Sequence, residues 1–365
     1  MKSYSEFMEY IKENVTDYLP ERFEEAEISI QQVVKNNDVV LDGLSIRNPD
    51  SNISPNIYLN PLYEQYQKGR NLDELVSSIA DTYIENMEPI ENRTFQVQIE
   101  DIKNYEVVKG EIFPRLVNLE KNTTRLQNVP YMQREDLAIT YHVKVSGNRD
   151  SIGSLMITNE LMEVYGVTKE KLHTQAMENM ERLSPPVFLP LGEMIVDVMT
   201  EDFGRNEGVS QEEAKEYVKD MIPTGGPNVY CLTNQYKMNG AVGIMSESIQ
   251  QMVADRVGGD YYVLPSSVHE VLIVPQSAGM DPEELTDMVN TVNEGCVMQD
   301  EILSDHVYQY DAKEHKLSLC APAKEMKQEQ TMEQNRQPAF EEKSIDATKQ
   351  PEQSHEPIKH SGRSH

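Results

Sequence analysis

The run from Tyr261 to Pro275, YYVLPSSVHEVLIVP, is the most apolar and most β-prone stretch of the chain, and helix-patterned segments flank it on both sides. β-Branched and aromatic residues crowd both halves, and Pro265-Ser266-Ser267 interrupts them where a turn would fall. The pattern predicts two strands, residues 261–264 and 268–274. In the second, Val268, Leu272 and Val274 fall on one face and Val271 and Ile273 on the other. A strand apolar on both faces belongs in the interior of a sheet with layers on both sides. The rest of the chain must then supply neighbouring strands and covering helices.

It contains the material for both. Phe7, Tyr10, Ile11, Val15 and Tyr18 recur at helical spacing over residues 3–19. Two strands follow, around Ile28–Val34 and Val39–Ile46, joined by a tight turn at Asn36-Asn37-Asp38, with a short third strand at Ile57–Leu59. A helix from Pro61 stops at Gly69, and Asn71 with Glu74 opens another whose stripe is Leu72, Leu75, Val76, Ile79 and Tyr83. Residues 96–112 read as a helix, residues 114–119, 137–145 and 154–158 as strands, and residues 159–165 and 169–182 as helices capped at Gly166 and Thr168. Helix, strands, then helices therefore occur twice, without residue-level identity between the halves. In 184–228, rich in Pro, Gly and acid, helical patches fall at 192–199 and 210–221, and Thr224–Asn228 reads as a turn or hinge. Strands at 229–233 and 241–245, the second after an Asn239-Gly240 hairpin signal, a helix from Ser246 to Val257, and a helix opened by Asp281-Pro282-Glu283-Glu284 surround the central run. Val307–Tyr310 and Lys316–Leu319 read as a last hairpin. The expected fold is α+β: antiparallel sheets faced by helices in two or three subdomains. The divisions fall at 1–90, 94–183, a connector 184–228, 229–320 and a disordered tail 321–365, which is too polar to bury a core.

Charge narrows the partners. Of 365 residues, 33 are Lys or Arg and 62 are Asp or Glu, a formal charge of -29. The tail from Pro322 holds seven basic and eight acidic residues, so a charge near -28 belongs to the body. That field disfavours nucleic acid and anionic membranes and favours solubility or a basic partner. Cys231, Cys296 and Cys320 are far apart, form no CxxC and imply no disulfide framework, as expected of a reducing cytoplasm. The first residues lack the continuous apolar core of a signal peptide, and no run reaches the length of a membrane span.

Motifs for chemistry are sparse. GxxxxGK[ST], GxGxxG, HExxH, paired CxxC and GxSxG are all absent. The catalytic candidates are Ser267 (or Ser266) as nucleophile and His269 as base. Adjacent strand residues point to opposite faces, so Glu270 is poorly placed to orient His269. Asp305, His306 and His315 could join His269 if the strands were neighbours, but no metal or cofactor site is predicted. Cys231, between apolar neighbours, reads as core. Asn56, Tyr58 and Asn60 alternate along an extended segment and could line a binding surface or satisfy turn backbone.

Several runs, QQVVKNNDVVLDGLSI, NISPNIYLNPLYEQYQKGRNLDELV, LVNLEKN, VPYMQREDLAITYHV, YCLTN, LPSSVHEVLIVP and EILSDHVYQYD, together resemble a bacterial domain-of-unknown-function family of Firmicutes gut anaerobes over about residues 1–320. The chain is more distantly similar to a second uncharacterised family of bacilli. These resemblances imply a bacterial, cytoplasmic α+β protein and carry no catalytic residue or cofactor with them. Function therefore rests on three readings. The leading one is a non-enzymatic binding or accessory protein acting through protein–protein contacts, with a basic partner favoured. The alternative is a hydrolase or metal-dependent enzyme centred on His269 with Ser267, Asp305 or His306. The third is an acidic mimic of DNA.

Overall fold

Residues 1–49, 56–91, 101–147, 152–219, 221 and 228–320 are described by a computed structural model; the expected tail and the Gly225-Gly226 turn lie outside them. The described residues form an α+β protein with three antiparallel sheets.

The first sheet comprises β1 (Glu27–Val34), β2 (Val40–Arg47) and β3 (Asn56–Tyr58), covered by α1 (Tyr4–Asn14), α2 (Leu59–Gln67) and α3 (Leu72–Glu91). Ser3 and Glu6 close a reciprocal capping box at the start of α1. Phe7, Ile11, Leu44, Ile46, Leu75, Val76, Ile79 and Tyr83 interlock between the layers. Each fully buried large apolar side chain of this kind contributes about 1.5–3 kcal/mol. The Tyr83 hydroxyl donates to the Ile46 carbonyl at 2.6 Å.

The second sheet is built on the long β6 (Leu137–Gly147). On one side it pairs with β4 (Ile112–Asn118), and on the other with β5 (Tyr131–Arg134) and β7 (Ile152–Met156) in succession. The helix expected over residues 96–112 is, within the described part, a single turn, α4 (Tyr105–Val108), followed by a 3-10 turn at Lys109–Glu111. Gly110 breaks the helix, and the doubly apolar run from Ile112 goes to the sheet. Pro114, which cannot donate to a ladder, sits where β4 is an edge strand. After the four-residue α5 (Thr123–Leu126) come α6 (Asn159–Tyr165), ended by left-handed Gly166, and α7 (Lys169–Leu183), capped by Thr168.

The third sheet has six strands in the order β13-β12-β10-β11-β9-β8. β10 (Tyr261–Leu264) and β11 (Val271–Pro275) occupy its centre, flanked by β12 (Tyr308–Asp311) with β13 (Lys316–Leu319), and by β9 (Tyr230–Asn234) with β8 (Pro186–Pro190). β8, bracketed by prolines, is an edge strand within the expected connector. The connector's helices are α8 (Leu191–Glu207) and α9 (Gln211–Lys219). Tyr261, Val263, Val271 and Ile273 pack with Ile249 and Val253 of α10 (Glu247–Val257). Leu264 and Val274 pack with Leu285 and Val289 of α11 (Pro282–Gly295). The central run is thus covered on both faces. Two expectations change. β11 begins at Val271, so His269 and Glu270 lie in the approach to the strand. Residues 240–245 wind into a 3-10 helix beneath that approach instead of forming a strand. The reason is room: a Cβ on Gly240 would lie 2.5 Å from Thr233 Oγ1 and 2.7 Å from the His269 carbonyl oxygen, so the Asn239-Gly240 pair serves close packing and not a hairpin turn.

Candidate functional site

Asn36-Asn37-Asp38, the tip of the β1–β2 hairpin, is where the three sheets meet. Asn37 and Asp38 adopt left-handed φ values of 59° and 51°, a conformation that short polar side chains tolerate. The Asn37 amide donates to the carbonyls of Gln299 and Ile302 at 2.8 and 2.7 Å, and its oxygen accepts from buried Asn122 at 2.9 Å. Asn36 Nδ2 donates to the Asp300 carbonyl at 2.9 Å. The Asp38 carboxylate accepts from the backbone N–H groups of Thr124 and Arg125, capping α5, and these bonds hold it below the usual carboxylate range against the opposing effect of desolvation.

Beside this knot lies a cleft of about 260 Å³, lined by Lys35, Asn36, Arg115, Arg125, His269 and Glu301 among others. His269 is held at every polar atom. Its N–H donates to Ser267 Oγ at 3.0 Å, and its carbonyl accepts from Gly240 N–H at 2.9 Å and Thr233 Oγ1 at 2.8 Å. Asn239 N–H donates to Nδ1 at 3.2 Å, which places the ring proton on Nε2, 3.3 Å from Glu301 Oε1. Glu301, not Glu270, orients the ring. Burial raises the Glu270 carboxyl above its usual range, opposed by His269 and by a hydrogen bond from Ser267. Both ring nitrogens of His269 are engaged away from Ser267, so His269 is not the serine's base; the Ser267 side chain is bonded instead to the Glu270 carboxyl.

The other candidates sit elsewhere. Asp305 bonds Lys121 at 2.8 Å and Asn293 at 2.9 Å. His306 Nδ1 lies 3.1 Å from Asp136, which also accepts from Ser304 and Tyr308. His315 Nδ1 lies 3.4 Å from the Tyr310 hydroxyl. The described residues contain no cluster of three His, Cys, Asp or Glu side chains able to hold a metal ion. Burial, with Glu270 nearby, pushes the Cys231 thiol up to about 12, which keeps it a protonated core residue. Of the alternating trio, Asn60 Oδ1 accepts from the Asp42 N–H at 2.8 Å, and the Tyr58 ring carries Lys35 Nζ at 4.7 Å.

Arg115 and Arg125 also line the cleft, and neither belongs to a catalytic motif. Residues opposite each other in an antiparallel ladder share a face. Arg115 opposes Thr140, Phe113 opposes His142 and Ser154 opposes Lys144, so one face of the second sheet carries Arg115, His142 and Lys144, and Arg125 adjoins it. Arg115 donates to Ser154 Oγ at 2.8 Å, while its buried Nε has no partner among the described residues. Burial, then the neighbouring Arg125, lowers the Arg115 guanidinium to about 10, still protonated at neutral pH. Lys144 is buried with its ammonium over the Tyr236 ring at 5.5 Å. Among the described residues no carboxylate forms an ion pair with Arg115, Arg125 or Lys144. The signal was present in sequence as single basic residues inside the apolar runs IFPRLVN and LAITYHVKV.

His142 gives this face a pH signature. Burial, then Arg115 and Arg125, hold its imidazole well below the usual value, so it is neutral in the fold. The unfolded chain protonates below about pH 6.5 and the folded chain does not, so stability should fall on acidification by up to about 1.4 kcal/mol per unit from this residue. Urea unfolding of wild type and His142→Gln between neutral and mildly acidic pH checks it: the variant should show a shallower loss.

No described helix is long and apolar enough to cross a membrane. No curated protein and no solved structure matches the chain. A family model described as a family of unknown function (DUF5688) matches residues 4–312. That match spans all three sheets up to β12, the cleft included, and the chain belongs to the DUF5688 family.

Proposed function

We propose that the chain is a non-enzymatic binding protein of the bacterial cytoplasm that acts by docking a basic, amphipathic protein segment. The carrying observation is the surface of α8 and α9. The two helices hold eight acidic and three basic residues. Between the acids Ile195, Val198, Met199 and Tyr217 are exposed, Tyr217 to 60 % and stacked on Phe203 at 4.9 Å. Apolar side chains ringed by carboxylates complement a cationic helix with one apolar face. The occupied ring of His269 supports binding over hydrolysis, since it leaves Ser267 without the histidine base of a serine hydrolase. The setting rests on the resemblance to bacterial sequences and on cysteines too scattered for a disulfide framework.

Fluorescence anisotropy with a labelled Lys- and Leu-rich amphipathic peptide tests this. Wild type should bind it, binding should weaken with added salt, and Tyr217→Ala should weaken it about tenfold. Equal binding by wild type and Tyr217→Ala, or none by either, overturns the reading.

A further inference from the structure

Arg115 and Arg125 present a chemical imbalance. Acidic residues outnumber basic ones 62 to 33 in this chain, so carboxylates were abundant for neutralising a half-buried guanidinium. The fold places none in ion-pair contact with either arginine among the described residues. Asp38, whose charge favours the Arg125 guanidinium without pairing with it, is bonded to the backbone N–H groups of α5. An unpaired charge away from water is unfavourable and is kept where something else completes it. Among the described residues, two polar atoms of the same cleft are buried without a partner: Arg115 Nε, a donor, and Asn36 Oδ1, an acceptor whose amide nitrogen is already bonded to the Asp300 carbonyl.

We propose that the cleft between the β1–β2 hairpin tip, β4 and the His269 segment binds a small organic oxyanion that also carries a hydrogen-bond donor, such as a phosphomonoester bearing an amine or hydroxyl. The oxyanion seats against Arg115 and Arg125, with Lys35 at the rim, where a fork of N–H donors matches its planar or tetrahedral oxygens. The donor group meets Asn36 Oδ1 and the acidic wall of Asp300 and Glu301, which disfavours a second anionic end. Size limits the ligand: about 260 Å³ falls just below the range of roughly 300–1,000 Å³ for drug-sized ligands. The negative body likewise disfavours a polyanion such as RNA. This site is separate from the α8–α9 surface, so either reading can fail alone.

Isothermal titration calorimetry of the full chain with three probes tests it: inorganic phosphate, O-phosphoethanolamine and citrate. O-Phosphoethanolamine should bind most tightly, phosphate more weakly and citrate weakest. Arg125→Gln should weaken O-phosphoethanolamine about tenfold or more, while Lys316→Gln, on the exposed far hairpin, should leave it unchanged. Asn36→Leu, which removes the acceptor at similar size, should bring O-phosphoethanolamine and phosphate closer together. No heat with any probe, or equal binding by wild type and Arg125→Gln, overturns the site. A preference for citrate overturns the role given to the acidic wall.

Discussion

Replacing Asn37 by alanine should lower the unfolding free energy by about 3 kcal/mol, the largest loss expected from a single polar side chain here. Three hydrogen bonds disappear together, leaving the carbonyls of Gln299 and Ile302 and the amide of buried Asn122 short of a partner. Each stranded buried group costs about 1–3 kcal/mol, partly offset by water at this half-buried site. Alanine also tolerates a φ of 59° less well than asparagine. Asn37→Gly separates the causes: it removes the backbone strain and keeps the hydrogen-bond loss, so it should recover only about 1 kcal/mol. Denaturant unfolding of both variants checks this. Full recovery by glycine would show that the side-chain bonds do not hold the three sheets together.

The second large effect has the opposite sign. Arg115→Met should raise the unfolding free energy by about 1 kcal/mol or more while removing oxyanion binding. Methionine fills similar space, adapts to irregular packing and leaves no uncompensated charge among Val117, Leu116 and Val268. The lost hydrogen bond to Ser154 is a single neutral-acceptor contact at 2.8 Å and offsets part of the gain. Substitutions that stabilise a fold while abolishing binding mark a residue kept for its ligand. Paired urea curves and calorimetry on the same preparations read both quantities.

The elements legible in the sequence were those whose local chemistry agrees with their environment. The doubly apolar run around Tyr261–Pro275 lies at the centre of the largest sheet, and the caps at Thr168 and Asp281 hold helices where their side chains predict. What misled was local chemistry serving a distant contact. Asn239-Gly240 looks like a hairpin turn, yet its glycine is required by the His269 carbonyl, a neighbour from another segment. Asn36-Asn37-Asp38 does form the turn it resembles, but nothing nearby announces that its side chains bond residues more than 260 positions away. β5 and β8 are four- and five-residue edge strands, too short for a period to register.

The candidate site followed the same division. His269 and Ser267 are in contact, as their spacing allows, whereas Asp305 and His306 bond Lys121 and Asp136. The orienting acid is Glu301, which comes from a separate segment. Arg115 and Lys144 were visible as charges inside apolar runs. Their significance depends on which carboxylates are absent around them, and that is a property of the assembled fold.

The most direct test of the cleft is the urea unfolding free energy of wild type and Arg115→Met, each with and without O-phosphoethanolamine. A cleft kept for binding gives a variant more stable than wild type in plain buffer, and a wild type that alone gains stability when the ligand is added. A variant less stable than wild type, with no ligand response in either protein, would show that Arg115 is structural and that the cleft binds no such anion.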